Sequence, residues 1–318
     1  MNSVLLSMKD EQVTEALRKY GAFIVLILFT LFNIAFTPNF FTFSNFNNIM
    51  GQVAPGVMVA VGMTIVISTK GFDLSVGGVV ALVSIIVGLS IPVFGAVLAI
   101  LIGLLFAAVL GAISGTIIAY LKISPIVVTL ALMSVYRGIG QIISNGTFID
   151  ISDRQFLFIG QAVVFGLRIQ IWIALVVVLI VAFVMKKTTY ARFITAIGSQ
   201  EKAAFLSGIK VERVKMSVYV ICAVLAAIAG MTEMGKLAYG DALSFGMNWE
   251  LDAIAATAIG GTSLMGGRPR IGGTVAGAIL VILINATVNM NNIPFDYAQV
   301  FKAVVIMLAL LFQMEKRV

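Results

Sequence analysis

Long apolar runs recur along the whole chain and constrain its fold more than any other feature of the sequence. A helix that crosses a bilayer needs about 20 apolar residues. Ten candidate spans lie near 21–37, 52–69, 75–91, 93–119, 126–143, 171–185, 216–234, 253–266, 271–289 and 298–313. Only Pro92 separates the third span from the fourth, and the eighth is short. Because 60% of the 318 residues are hydrophobic and 11% are charged, a soluble core could not bury this much apolar surface.

The sequence therefore predicts an all-α, polytopic membrane bundle of about ten transmembrane helices, organised as one transmembrane domain over residues 1–318. The glycine pairs Gly111 with Gly115 and Gly273 with Gly277 have the GxxxG spacing. Glycines at this spacing allow helix backbones to approach closely in lipid. The pattern indicates a compact bundle and does not by itself indicate a function.

The residue types and motifs that the sequence lacks argue against an enzyme. The chain has no His and a single cysteine, Cys222, which excludes His-based catalysis, intrachain disulfides and thiolate metal clusters. We therefore predict no catalytic residue and no metal ligand. The phosphate-binding pattern GxxxxGK[ST] is also absent, because Gly273 occupies the lysine position of the nearest match, at 267–274. If ATP powers this protein, another chain must bind it.

The distribution of Lys and Arg predicts the orientation. Positive residues concentrate on the cytoplasmic side of membrane proteins. With the N-terminus inside, the cytoplasmic segments hold most of the basic residues, namely Lys9, Arg18, Lys19, Lys70, Lys122, Lys186, Lys187, Arg192, Lys202, Lys210, Arg213, Lys215, Arg268, Arg270, Lys316 and Arg317. We expect both termini in the cytoplasm, with residues 1–20 as a cytoplasmic segment. Membrane topology, and not nucleic-acid binding, then explains the net charge of +7.

Two glycine-rich breaks, at 70–78 and 260–267, interrupt the apolar pattern with small and hydroxylated residues. Transporters often place substrate pathways and gates at such discontinuities, at matching points of two inverted halves. Spans two to five begin outside and spans seven to ten begin inside, as an inverted internal repeat requires. The alternative is that each break is only a tight cytoplasmic turn.

Polar residues at these breaks and within the spans are the candidates for a substrate pathway or its gates. We select Asp73, Ser75, Thr129, Asn145, Asp252, Thr262 and Ser263. Neutral hydroxyl and amide side chains would suit a neutral solute, and buried carboxylates for ion-coupled transport are scarce. Hydrogen bonds between helices explain the same neutral residues equally well.

The segment 186–215 is a basic cytoplasmic loop that contains a short predicted helix. Ser199 fits the N-cap position, Glu201 lies in the first turn, and Gly208 fits the stop after the last turn. A helix of two turns is marginal alone, so something must hold it. Either a cytoplasmic partner with a groove holds the helix, or the helix rests on the lipid surface.

Several motifs in a fixed order resemble one family over most of the chain. They are PNFFT at 38–42, AVGMT at 60–64, GFDLSVG at 71–77, RG at 137–138, SNG at 144–146, AIGSQEKAA at 196–204, LSGI at 206–209, ELDAIAA at 250–256, GGTS at 260–263 and GG at 266–267. With these motifs the chain resembles the permease subunits of bacterial monosaccharide ABC importers, in the ribose-type branch. Phe72 departs mildly from the pattern, because many relatives carry Ile there.

The resemblance implies a bundle like that of the vitamin B12 permease in the bacterial cytoplasmic (inner) membrane. It implies three partners, namely a cytoplasmic ABC ATPase, an extracytoplasmic sugar-binding protein and a second permease subunit. A homodimer is favoured over a heterodimer. ATP and Mg would be used by the ATPase, and this chain would bind no cofactor. The helix that docks on the ATPase would comprise Gly198, Ser199, Gln200, Glu201, Lys202, Ala203, Ala204, Phe205, Leu206, Ser207 and Gly208.

The expected function is translocation of a monosaccharide or similar small neutral polyol, driven by the separate ATPase. Two alternatives remain open on the sequence. The first is a stand-alone secondary carrier or channel for a small neutral solute. The second is a scaffold or receptor that transports nothing. The sequence does not identify the sugar.

Overall fold

The computed structural model describes residues 20–294 and the single positions 297, 300, 303, 304 and 307. The predicted N-terminal segment and the C-terminus therefore lie outside the described residues, as does the tenth predicted span apart from those positions. Helices dominate residues 20–294. They are α1 (Tyr20–Phe36), α2 (Phe43–Ser68), α3 (Val76–Tyr120), α4 (Pro125–Ser144), α5 (Arg154–Gln161), α6 (Ile169–Lys187), α7 (Thr189–Ser199), α8 (Glu201–Leu206), α9 (Val211–Leu237), α10 (Trp249–Ile259) and α11 (Ile271–Met290).

Four two-residue strands form two small antiparallel pairs. Strand β1 (Ile149–Asp150) pairs with β4 (Tyr239–Gly240), and β2 (Val163–Val164) pairs with β3 (Leu167–Arg168). The first pair joins the segment after α4 to the segment after α9. The second is a hairpin that leads directly into α6.

Six helices of the described part, α2, α3, α4, α6, α9 and α11, are long and apolar enough to cross a membrane. Helix α3 has 45 residues, which at 1.5 Å per residue is enough for two crossings of a core about 30 Å thick. Helix α1 is apolar but shorter. The prediction of a multi-pass helical membrane bundle is confirmed.

The break between the third and fourth predicted spans is not at Pro92, as we expected, but at Gly95. The helix continues through Pro92, whereas Gly95 has φ 76° and ψ 166°, a conformation essentially restricted to glycine. Proline removes one helical hydrogen bond but leaves its own φ helical. The turn between the two crossings therefore falls three residues later than the proline.

The eighth predicted span, 253–266, is helical over only part of its length. Helix α10 covers Trp249–Ile259, and the chain from 260 to 270 is non-helical before α11 begins. At 1.5 Å per residue, α10 is about 16 Å long, half of a hydrocarbon core. The eighth predicted span is therefore a half-helix followed by a segment of turns.

Helix α2 lies at the centre of the bundle, and 83% of its most apolar window is buried. It packs against α6, α9, α10 and α11. Beside it, α3 and α9 approach closely, because Cβ atoms added at Gly111 and Gly115 would lie 2.7–2.8 Å from backbone atoms of α9. The close approach predicted from the GxxxG spacing is confirmed there.

The chain reverses direction between spanning segments, so its connections gather at two ends. We call one the basic end, formed by 69–75, 121–124, 188–210 and 260–270. We call the other the hairpin end, formed by 37–42, 145–168, 238–248 and 291–294. The segments of the basic end meet where the Gly267 N–H donates to the Ser68 carbonyl at 2.9 Å.

Candidate functional site

The two glycine-rich breaks meet at the basic end, and α7 ends against both of them. The Gly267 amide binds the carbonyl of Ser68, the last residue of α2. A Cβ added to Gly198 would lie 1.8 Å from the Ser68 oxygen and 2.4 Å from the Gly267 nitrogen. No side chain fits there, so three backbones are in direct contact. We call this contact of Ser68, Gly198 and Gly267 the backbone junction.

The short helix α8 follows the backbone junction by a single linking residue. Ser199 ends α7, and its carbonyl accepts a hydrogen bond from Lys70 Nζ at 3.2 Å. Gln200 then has an extended conformation, with φ −150° and ψ 98°, and α8 begins at Glu201. Only Gln200 therefore separates α8 from the end of α7, which contacts both breaks.

The predicted N-cap at Ser199 is wrong, because Ser199 is still part of α7 and Gln200 occupies the N-cap position of α8. The predicted stop is confirmed, since Ser207 is the C-cap and Gly208 follows it with φ 81°. The helix is held within the chain itself. Glu201 pairs with Lys215 of α9 at 2.7 Å, and Ala204 is buried.

The outer face of α8 carries large apolar side chains. Phe205 is 60% exposed and Leu206 is 85% exposed. Beside them runs a groove of about 550 Å³ lined by Tyr190, Phe193, Ser207, Gly208, Ile209, Lys210, Arg213, Val214 and Ser217. We call Phe205, Leu206 and this groove the coupling surface. Its combination of exposed apolar groups with two basic side chains is typical of a protein-binding surface.

In the first break, Asp73 and Ser75 form a buried turn at the start of α3. Asp73 Oδ1 accepts hydrogen bonds from the backbone N–H and the hydroxyl of Ser75, at 3.0 and 2.5 Å. Its other oxygen, Oδ2, has no hydrogen-bond partner among the described residues. Burial raises the pKa of Asp73 to about 6, and the two Ser75 bonds oppose that rise.

In the second break, Thr262 belongs to a buried cluster of threonines. The Thr64 and Thr274 hydroxyls lie 2.7 Å apart, and Thr257 and Thr262 lie within 3.5 Å of this pair. All four side chains are fully buried. Hydrogen bonds between α2, α10 and α11 thus account for these hydroxyls in this conformation. Ser263 follows, and its carbonyl closes the turn by accepting from the Gly266 N–H at 3.0 Å.

A cavity of about 250 Å³ lies between α2, α9, α10 and α11, toward the hairpin end. Its polar lining consists of Gln52, Glu233, Lys236, Trp249, Asp252 and Asn285. Glu233 and Lys236 form an ion pair at 2.9 Å. Asn285 Oδ1 is buried and has no hydrogen-bond partner among the described residues. We call this space the inter-helix cavity.

Of the seven predicted pathway residues, Asp252 alone lines the inter-helix cavity. Asp73, Ser75, Thr262 and Ser263 lie in the two breaks, toward the basic end. Thr129 is buried in α4, where its hydroxyl donates to the Pro125 carbonyl, and Asn145 caps the end of α4 at the hairpin end. A pathway role for these residues stays a prediction.

The sequence reasoning missed Gln52 and Trp249, which line the cavity but lie at or outside the edges of the predicted spans. Helices α2 and α10 begin several residues earlier than predicted, at Phe43 and Trp249. No group of three or more His, Cys, Asp or Glu within the described ranges could hold a metal ion.

Comparison with known proteins agrees with this architecture. Residues 45–310 match the protein family described as "Branched-chain amino acid transport system / permease component". The chain is 38% identical to the ribose import permease protein RbsC of Haemophilus influenzae, over 96% of this chain and 97% of that protein. No solved structure matches the chain.

Other relatives carry different sugar names. The L-arabinose transport system permease protein AraH of Escherichia coli is 32% identical over 94% of this chain and 91% of its own length. The galactofuranose transporter permease protein YtfT of the same species is 33% identical over 85% of this chain and 79% of its own. The chain therefore belongs to the same family of membrane transport permeases as the ribose import permease proteins.

Proposed function

We propose that the chain is the membrane-spanning subunit of an ABC importer that moves a monosaccharide into a bacterial cell. The observation that carries this proposal is similarity, over 85–96% of this chain, to permeases named for ribose, L-arabinose and galactofuranose. These three are all monosaccharides. The proposal includes a second permease subunit, preferably a copy of this chain, an extracytoplasmic sugar-binding protein and a cytoplasmic ATPase that uses ATP and Mg.

We also propose that the basic end faces the cytoplasm of the inner membrane. Lys70, Lys122, Lys202 and Arg268 lie in its connecting segments. This bias is the one expected of cytoplasmic loops. The complete bundle then has ten crossings with related inverted halves, as in the vitamin B12 permease, and both termini are cytoplasmic.

In this proposal the ATPase binds the coupling surface and drives the bundle through the backbone junction. ATP binding draws the two ATPase domains together and displaces α8. Because Ser199 is bonded to Lys70 and Gly198 contacts both Ser68 and Gly267, α7 carries that displacement to both breaks. The breaks flank α2, α3, α10 and α11, so their movement opens and closes the bundle.

The test is to place a charge on the coupling surface without disturbing its packing. Leu206→Asp changes a side chain that is 85% exposed, and we expect it to abolish co-purification of the ATPase and ATP-driven sugar uptake in vesicles. Ala204 is less suitable because it is buried. The control is Phe158→Asp, an apolar position in α5 at the hairpin end that is 55% exposed, and this variant should keep the ATPase bound.

A stand-alone carrier or channel makes the opposite prediction. Vesicles containing only this chain would then pass the sugar down its gradient, and Leu206→Asp would leave the flux unchanged. A scaffold or receptor would give no flux with any combination of partners. Sugar accumulation that requires the ATPase, the binding protein and an intact Leu206 supports the importer.

A further inference from the structure

The inter-helix cavity lies within one subunit, between the proposed outer face and the backbone junction. It is bounded by α2, α9, α10 and α11, the same helices that carry the two breaks and the Glu233–Lys236 pair. We propose that this cavity binds one monosaccharide ring, so that each subunit holds its own sugar site during transport. The inference rests on the proposed function and adds the position and chemistry of the site.

The aromatic wall of the cavity is Trp249, the first residue of α10. An indole ring is a flat apolar surface with a polar edge. A sugar ring has the complementary form, because its C–H groups gather on the ring faces and its hydroxyls project from the rim. Stacking on Trp249 would bury one face of the sugar ring, while the hydroxyls at its rim keep their polar contacts.

The polar wall offers amide groups that match those hydroxyls. Asn285 Oδ1 is a buried acceptor with no partner within the described part of the chain, and it lines the cavity. A buried acceptor without a donor is costly, so a ligand hydroxyl that donates to it removes a penalty as well as making a bond. Gln52 adds a second amide to the lining, from α2.

The cavity suits a small, uncharged ligand. Its volume of about 250 Å³ lies just below the range of about 300–1,000 Å³ for sites that hold drug-sized molecules. Gly56, Ala253 and Ala256 keep the wall free of bulk. Glu233 and Lys236 neutralise one another across 2.9 Å. Asp252 is the other ionisable group of the lining, and its carboxylate oxygens can accept hydrogen bonds from ligand hydroxyls. A single neutral ring fits these limits.

The two tryptophans of the chain make the proposal directly measurable. Trp172 lies in α6, and its Nε1–H donates to the Val164 carbonyl, away from the cavity. In a Trp172→Phe background, Trp249 is the single indole fluorophore. Titration of this protein in lipid nanodiscs with D-ribose, L-arabinose or D-galactose should give a saturable change in Trp249 emission with at least one of the three sugars.

Variants then test whether the cavity amides bind the sugar. In the same background, Asn285→Leu should weaken the apparent affinity about tenfold or more, since one buried hydrogen-bonded pair is lost. Gln52→Leu, at an exposed position of α2, serves as a second variant if Asn285→Leu does not fold. Gln141→Leu in α4, outside the cavity, makes the same amide-to-leucine change and should leave the titration unchanged.

Failure of this inference is separable from failure of the proposed function, because ATP-driven uptake is measured on the same background. A chain that supports uptake but shows no saturable emission change overturns the cavity site and leaves the importer intact. A response that persists unchanged in both Asn285→Leu and Gln52→Leu also overturns the site. A chain that neither transports nor responds overturns both proposals.

Discussion

At the residue scale, Asp73 is the most unusual group in the described chain. It is fully buried at the start of α3, one oxygen is bound twice by Ser75, and the other has no hydrogen-bond partner in the described ranges. Burial makes such a carboxyl easier to protonate in the folded state than in the unfolded state. Asp73 therefore makes the stability of the fold depend on pH.

Replacing Asp73 should remove that dependence. The folded-state pKa of about 6 exceeds the ordinary value of 3.8, so the favourable contribution is complete below pH 4 and is lost as the pH rises through 6. The shift corresponds to ~3 kcal/mol between pH 4 and pH 8. In Asp73→Asn, which keeps the Oδ1 acceptor, thermal unfolding in detergent should lose this part of its pH dependence.

The control for Asp73→Asn is Asp150→Asn, which changes an exposed carboxyl at the hairpin end. It should reproduce the pH profile of the parent chain. If Asp73→Asn has that profile as well, Asp73 does not carry the pH dependence proposed for it.

Gly198 makes the most crowded backbone contact of the junction. Alanine there would place a methyl group 1.8 Å from the Ser68 oxygen, so α7 or α2 must shift. We expect Gly198→Ala to lower stability by about 1–3 kcal/mol and to reduce ATP-driven uptake while ATPase binding persists. Unfolding midpoints, uptake and co-purification measure the three effects.

Gly138→Ala is the matched control, since no described atom lies within 4 Å of a Cβ at this helical position. By helix propensity it should be neutral or stabilise the chain by up to about 1 kcal/mol. Equal uptake by the Gly198 and Gly138 variants would show that the junction does not transmit the ATPase movement.

At the element scale, the sequence predicted most spanning helices because their apolar length is a local property. The sequence misplaced the break in α3 because Pro92 is a strong local signal for a helix break. The positive φ of Gly95 instead depends on the path of the chain through both halves of α3. The sequence prediction extended the eighth span to 266 because Gly260 and Gly261 are compatible with helix in lipid. Turns at 260–266 and the hydrogen bond from Gly267 to Ser68 instead end the helix at Ile259.

In the candidate site, too, local features could be predicted from the sequence, and features that depend on packing could not. The short helix at 201–206 and its glycine stop were predictable from caps and turns. The cavity was not, because Gln52 and Asn285 are 233 positions apart in the chain and meet only through packing of α2 on α11. Apolar patterning identifies buried faces in lipid poorly, since lipid-facing and protein-facing residues are both apolar.

The position of the turn in α3 gives an element-scale prediction. Gly95→Ala should destabilise the chain by about 1–3 kcal/mol although space is available, because φ 76° with ψ 166° strains any residue with a Cβ. Pro92→Ala should be tolerated, since the helix already runs through that position. The midpoint of thermal unfolding distinguishes the two, and a larger loss in Pro92→Ala would place the turn at the proline.

At the scale of the whole molecule, the proposed orientation places the basic end and the hairpin end on opposite sides of the membrane. The single cysteine, Cys222, is fully buried, so the parent chain should not react with a membrane-impermeant maleimide. In intact cells, Arg154→Cys at the hairpin end should be labelled. Lys202→Cys at the basic end should be labelled only after the membrane is opened.

Both test positions are exposed basic residues near the start of a short helix, so the two variants control for each other. The reverse pattern would invert the topology and place the coupling surface outside the cell. Labelling of both variants in intact cells would contradict a sealed bundle with separated ends.

The central position of α2 also determines when the fold can be completed during synthesis. Three helices that cover α2 are α9, α10 and α11, which leave the ribosome more than 140 residues after it. In the interval its surface must be covered by lipid. Because the most apolar 18-residue window of α2 has a mean hydropathy of 1.8, the helix can remain in the bilayer until those helices arrive. A charged substitution on α2 that the finished bundle tolerates would therefore still destabilise α2 in the bilayer before α9, α10 and α11 are synthesised.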